Sequence, residues 1–90
     1  MDIKIHDVRD IGHALRASRK SSNVRLDDLA GFARVSKQFV SDLEHGKPTV
    51  RLGLALKVLE ELGVRVKLEI PDEAGERWQA LQDAARDVTR

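Results

Sequence analysis

Ser36, Lys37, Gln38 and Ser41 are the side chains of this 90-residue chain whose types and spacing offer the clearest chemistry. A lysine can donate to guanine O6 and N7, and a glutamine can bond adenine N6 and N7 together. The two serines can reach a base edge or a phosphate. Such readout needs donors and acceptors on the N-terminal half of a helix that enters the major groove.

The local sequence reads as that helix. Ser36 can cap its start by accepting a backbone N–H bond. Gly46 can close its end in a left-handed conformation that is costly for other residues. Val40 and Leu43 share one side, with Val35 just outside on the same side. Lys37, Gln38, Ser41 and Asp42 point elsewhere. A helix this short does not stand alone in water, because nucleation is too costly, so the rest of the chain must hold it.

The supporting elements follow in order. Met1–His6 carries a weak strand signal at Ile3 and Ile5. A helix then runs to about Ser21, with Asp7 as its N-cap and Asp10 in its first turn. Its stripe is Val8, Ile11, Ala14 and Leu15. A second short helix covers about Leu26–Ala33. Leu29, Ala30 and Ala33 face inward, Asp27 and Asp28 suit the dipole of the first turn, and Gly31 allows a close approach by another backbone. With the helix that follows, it forms a helix-turn-helix unit. Pro48 breaks the chain, and Thr49 caps a further helix to about Leu62. That helix is apolar over more than half its girth and is expected to be buried on two sides.

The period then changes. Val64, Val66, Leu68 and Ile70 alternate with Arg65, Lys67 and Glu69, which predicts a strand closed by Pro71. A lone strand leaves its backbone unpaired. The same strand from a second copy is one partner; Ile3–Ile5 is the other, and both can hold. Residues 72–90 form a tail of helical character, with Trp78, Leu81, Ala85 and Val88 on one face and Arg86 and Arg90 late. It is either docked or ordered by a partner. The domain division is therefore 1–71 and 72–90.

Composition narrows the function. There is no cysteine, so disulfides, thiolate metal sites and cysteine nucleophiles are excluded. Phe32, Phe39 and Trp78 are too few for a stacking platform on single-stranded RNA. No signal peptide or membrane span is read, so the expected compartment is the cytoplasm. His6, His13 and His45 lack metal-ligand spacing, and no nucleophile–base pair or phosphate loop stands out. No enzyme, metal or cofactor is expected. Net charge is only +1, yet from Ile11 to Leu26 every charged residue is basic. Such a face is the footprint of a phosphate binder; charge alone fits a solvated mixed surface equally well.

The run Leu29-Ala30, Val35-Ser36, Val40-Ser41, Leu43-Glu44 and Gly46-Lys47-Pro48-Thr49-Val50 resembles the helix-turn-helix domain of Cro/C1-type (XRE) repressors. The extension through Arg51-Leu52, then Leu62-Gly63-Val64, is similar to the HipB-like antitoxins. The resemblance covers about Val8–Ile70. It implies a mainly α, five-helix bundle with the helix at Ser36–His45 in the major groove. It further implies a homodimer joined by C-terminal strands, a palindromic operator in double-stranded DNA, and repression of its own operon. A HipA-like kinase toxin is the implied protein partner, with Trp78 and Leu81 as candidate contacts. Leu26 stands where the family usually has Gln, Arg34 where it has Gly, and Ser18 where it often has an apolar residue.

With that motif in place, base readout is assigned to Ser36, Lys37, Gln38 and Ser41. Phe39 either packs inward or meets a thymine methyl, and packing is favoured. Phosphate contact is assigned to Arg25, Arg34, Lys47, Thr49 and Arg51, helped by the Thr49 and Val50 backbone N–H groups at a helix start. By the resemblance, Arg19 and Glu44 form a part-buried ion pair between the first and third helices. Two other readings stay open: a stand-alone regulator without a toxin, and a protein-interaction module on a helix-turn-helix scaffold.

Overall fold

In the computed structural model, residues 1–88 are described; Arg90 lies outside them. Four helices precede the tail: α1 (Val8–Ser21), α2 (Leu26–Ala33), α3 (Lys37–Glu44) and α4 (Leu52–Glu61). A 3₁₀ turn at Asp72–Ala74 leads into α5 (Gly75–Val88). Asp7 caps α1 as expected: its carboxylate accepts from Arg9 N (2.8 Å), and the Asp10 carboxylate accepts from His6 N (2.8 Å) and Asp7 N (3.3 Å). The hydrogen bond from the Arg9 side chain is the main reason the Asp7 carboxyl lies below its ordinary pKa.

One device ends all four of these helices. Asn23, Arg34, Gly46 and Gly63 each take a positive φ, at 56°, 58°, 77° and 72°. At each, two N–H groups fold back on the last carbonyls, as in Val24 N to Arg19 O (3.1 Å), Val35 N to Ala30 O (3.0 Å), Lys47 N to Asp42 O (2.9 Å) and Val64 N to Leu59 O (3.0 Å). This is the Schellman ending, and it satisfies carbonyls the helix itself leaves unpaired. Ser22-Asn23, Arg34, Gly46 and Gly63 therefore make the turns sharp enough for short helices to pack on one another.

The core is aliphatic. Leu15, Leu29, Ala30, Ala33, Val40, Leu43, Ala55, Val58 and Leu59 are buried, with Ile11, Val24, Leu26, Val35, Phe39, Val50, Leu62 and Val64 packed around them. Each buried Leu or Val side chain contributes roughly 1.5–3 kcal/mol. α1 packs on α3, and α2 packs on both α3 and α4. The close approach of α1 and α3 rests on Gly12. A Cβ there would lie 2.5 Å from the Leu43 and Glu44 carbonyl oxygens. Gly31, expected to serve a close approach, has open space around it; it is exposed on the outer side of α2.

Three expectations are corrected. Val64–Ile70 is not a strand in this chain. Among the described residues, no backbone bond between secondary-structure elements follows Val64 N until Ala74 N meets Pro71 O, because the segment has no neighbour to pair with. Pairing with Ile3–Ile5 does not form either, and both isoleucines are exposed. Second, α4 begins at Leu52 with Arg51 as its N-cap, and no side chain caps it. Thr49 sits in the preceding turn. Third, α4 buries one side only: Ala55, Val58 and Leu59 are covered, while Leu52 and Leu56 are exposed.

The tail is helical, and Glu76–Arg86 is exposed throughout. The Cα radius of gyration is 15.4 Å, against about 12 Å for a compact domain of this length. An extended arm and an uncovered α5 account for the excess. No helix among the described residues is long and apolar enough to cross a membrane.

Candidate nucleic-acid interface

α3 is held at both ends and along one side. Ser36 Oγ accepts from Phe39 N at 3.0 Å, the expected N-cap. Gly46 and Lys47 close the C-terminus as described above. Val40 and Leu43 are fully buried, which turns Lys37 and Gln38 outward, and both are exposed. Phe39 is half-buried against the core, so it packs inward. Ser41 is half-buried; its Oγ lies 3.5 Å from His45 Nδ1, which is also 2.7 Å from Ser41 O.

α1 fixes the lengthwise position of α3. The Arg19 guanidinium meets Glu44 with two bonds, Nε to Oε2 at 2.6 Å and Nη2 to Oε1 at 3.0 Å. Its Nη1 donates to Val24 O at 3.1 Å. The Glu44 side chain is 3 % exposed and that of Arg19 12 %. The expected ion pair is therefore present, and it also holds the α1–α2 turn. Its hydrogen bond to Glu44 raises the Arg19 pKa above its ordinary value. Gly12 and Arg19 lie seven residues apart on α1, about 10 Å along its axis, and both meet the C-terminal end of α3, at the Leu43 and Glu44 carbonyls and the Glu44 side chain.

The expected phosphate contacts fall into two groups. Lys47, Thr49 and Arg51 line one shallow groove of about 310 Å³ with Ser36 and Asp42, over a floor that includes Val35 and Phe39. Arg25 and Arg34 lie outside that groove, at the start and end of α2. Arg25 is paired with Asp27, Nε to Oδ1 at 3.1 Å, and this bond is the main reason the Asp27 carboxyl lies below its ordinary pKa. Arg34, Lys37 and Arg51 are exposed and bond no described side chain, so their charge faces solvent. The Val50 N–H, expected to meet a phosphate from a helix start, instead donates to Lys47 O (3.4 Å) in the turn. The free first-turn N–H groups belong to Leu52 and the residues after it.

The residues that depart from the repressor pattern have structural partners. Leu26 is half-buried and packs on the core, so the first position of α2 adds packing where a Gln would offer a polar contact. Ser18 Oγ donates to Ala14 O at 2.8 Å, which satisfies it inside α1. Arg34 takes the left-handed conformation a glycine would take more cheaply.

Asp42, on the outer side of α3, has a partner at each carboxylate oxygen. Its Oδ1 accepts from Gln38 Nε2 at 2.8 Å, and its Oδ2 lies 3.6 Å from Lys47 Nζ. One carboxylate thus joins Gln38, on the outer face of α3, to a groove lysine. The i, i+4 spacing of Gln38 and Asp42 was the available signal, since such pairs bond along a helix surface.

These elements define a helix-turn-helix DNA-binding fold. The chain belongs to the Cro/C1-type helix-turn-helix family of transcription regulators, whose family model matches residues 15–68. Among its relatives is an uncharacterized HTH-type transcriptional regulator, y4mF, of Sinorhizobium fredii (strain NBRC 101917 / NGR234). The two are 44 % identical over 70 residues, which covers 78 % of this chain and 92 % of the relative.

Proposed function

We propose that the protein is a homodimeric, sequence-specific repressor, and that it serves as the antitoxin of a HipA-like kinase toxin whose operon it silences. The observation that carries the DNA reading is the outer face of α3: Lys37 and Gln38 stand exposed on its first turn while Val40 and Leu43 anchor the opposite side. Lys37 offers donors to guanine, Gln38 a donor–acceptor pair to adenine, and Lys47, Thr49 and Arg51 set the register on the phosphates. Ser36 and Ser41 flank the readers. No step of this function requires catalysis, a metal or a cofactor.

Dimerisation is supported by apolar surface that the single chain leaves uncovered. Leu52 and Leu56 on α4, and Val66, Leu68 and Ile70 on the arm, are all exposed. The arm alternates as a strand and has an unpaired backbone, which the arm of a second copy would satisfy. Two-fold symmetry then calls for a palindromic operator. The antitoxin assignment is supported by the similarity that continues from Lys47 through Leu52, and by α5, whose exposed Trp78 and Leu81 suit a protein partner.

Fluorescence anisotropy on duplex selected from a random library tests the reading. The double variant Lys37→Ala, Gln38→Ala should lose about 10–1000-fold in specific affinity and little non-specific affinity. Unchanged specific affinity would refute readout by α3. Val66→Pro should yield monomers by analytical ultracentrifugation, because proline removes a ladder donor. Co-expression with a HipA-like kinase separates antitoxin from stand-alone regulator: a stable complex is expected, and its absence would leave the stand-alone regulator.

A further inference from the structure

We infer that Asp42 is a positioning residue for base selection, and that it restricts Gln38 to adenine by occupying one of its two amide N–H groups. The inference rests on the reading of Gln38 as a base-contacting residue. A carboxylate at neutral pH only accepts hydrogen bonds. The end of the Gln38 amide that faces Asp42 Oδ1 at 2.8 Å is therefore the nitrogen, and Oε1 is turned away from it. Lys47 Nζ, 3.6 Å from Oδ2, holds the carboxylate from its other side. Asp42 is only partly exposed, at 27 % of its side chain, and it lines the groove with Lys47.

The consequence is a matter of counting donors. A free glutamine amide has one acceptor and two N–H donors. It can meet adenine with the oxygen on N6–H and one N–H on N7. It can also turn and send both N–H groups to the N7 and O6 acceptors of guanine. Once Asp42 takes one N–H, a single donor and the carbonyl remain. That pair still matches adenine, but the two-donor arrangement for guanine is lost, and the amide no longer flips freely. Asp42 need not touch the DNA to act in this way. It works through Gln38, at a position where a carboxylate otherwise only repels phosphate.

The test is base preference, measured by competition on duplexes that differ at one half-site position at a time. The wild-type protein should prefer A·T over G·C by about tenfold or more at the position that Gln38→Ala renders indifferent. Asp42→Ala should reduce that preference to about twofold and leave preferences at other positions in place. Asp42→Glu keeps a carboxylate that only accepts and stays within i, i+4 reach of the amide, so it should retain the preference. Asp42→Ser, whose hydroxyl stops short of the amide, should repeat the loss seen with Asp42→Ala, and circular dichroism checks that each variant is folded. Asp42→Ala and Asp42→Ser keeping the full preference would overturn the inference while leaving readout by Gln38 intact. So would Asp42→Glu losing it as completely as Asp42→Ala, since an acceptor-only group would still face the amide. If Gln38→Ala changes no preference, or the wild type binds no duplex, the underlying reading falls and this inference with it.

Discussion

α3 and α5 carry comparable apolar stripes, and only one of them is covered. In α3, Val40 is 0 % and Leu43 1 % exposed; in α5, Trp78 is 51 % and Leu81 70 % exposed. The shorter helix is the buried one, at 8 residues against 14. Length and periodicity therefore do not decide burial here. α3 is joined to its neighbours by tight turns and gripped by Gly12 and Arg19 of α1. α5 is joined by an extended arm and depends on its own backbone bonds, which at its length make a helix only marginally stable in water. α3 is held in place by what surrounds it, while Trp78 and Leu81 of the tail stay uncovered.

Removing the grip on α3 should have the largest effect. Glu44→Ala leaves the Arg19 guanidinium largely buried without its counter-charge, and should cost about 3–5 kcal/mol in urea denaturation. Leu43→Ala deletes a fully buried side chain and should cost about 2–5 kcal/mol. The same change in the other helix, Leu81→Ala, should stay within about 0.5 kcal/mol. If Leu81→Ala proved as costly as Leu43→Ala in the isolated protein, α5 would be packed in solution and the contrast between the two helices would fail.

Sequence alone showed the stripes, the caps and which polar side chains of α3 face outward, because those depend on neighbours three or four positions away. Ser36, Gly46, Asp7 and the inward residues Leu29, Ala30 and Ala33 were all legible in this way. Where an element meets a distant one, the pattern carried less. Nothing in the sequence distinguished Gly12, which faces the α3 carbonyls, from Gly31, which faces solvent. The alternation at Val64–Ile70 recorded a wish for a partner strand that the single chain does not supply. Leu52 and Leu56 look like core by composition and are exposed because no described residue covers that side of α4. Thr49 has the residue type of a cap, yet Arg51 holds that place because the turn after Pro48 runs two residues further. At the site, the outward position of Lys37 and Gln38 was legible from spacing, whereas the tie from Gln38 through Asp42 to Lys47 required coordinates.

A smaller loss is expected at the α1–α3 contact. Gly12→Ala places a methyl 2.5 Å from the carbonyl oxygens of Leu43 and Glu44. Those atoms are main chain and cannot rotate aside, so α3 must shift. Overpacking of this kind should cost about 1–3 kcal/mol, and it should lower DNA affinity in proportion to how far the reading face is displaced. Gly31→Ala is the control: it meets open space and sits in a helix, so it should gain up to about 1 kcal/mol. Equal effects at the two glycines would mean that α1 does not set the position of α3.

The smallest expected effect separates stability from function at the turn of the helix-turn-helix unit. Arg34 holds φ = 58° at the end of α2, where a side chain with a Cβ costs roughly 1–2 kcal/mol relative to glycine. Gly46 fills the corresponding place after α3 without that cost. Arg34→Gly should therefore stabilise the fold, by about 1 kcal/mol once the greater freedom of glycine in the unfolded chain is counted. The same change removes an exposed cation beside the reading helix. If Arg34 contacts a phosphate, affinity should fall for specific and random duplexes alike, and the slope of log affinity against log salt should become shallower by about one. A more stable protein that binds DNA less tightly would show that the strain at this turn is retained for its charge. A more stable protein with an unchanged salt slope would remove Arg34 from the interface and leave phosphate contact to the groove formed by Lys47, Thr49 and Arg51.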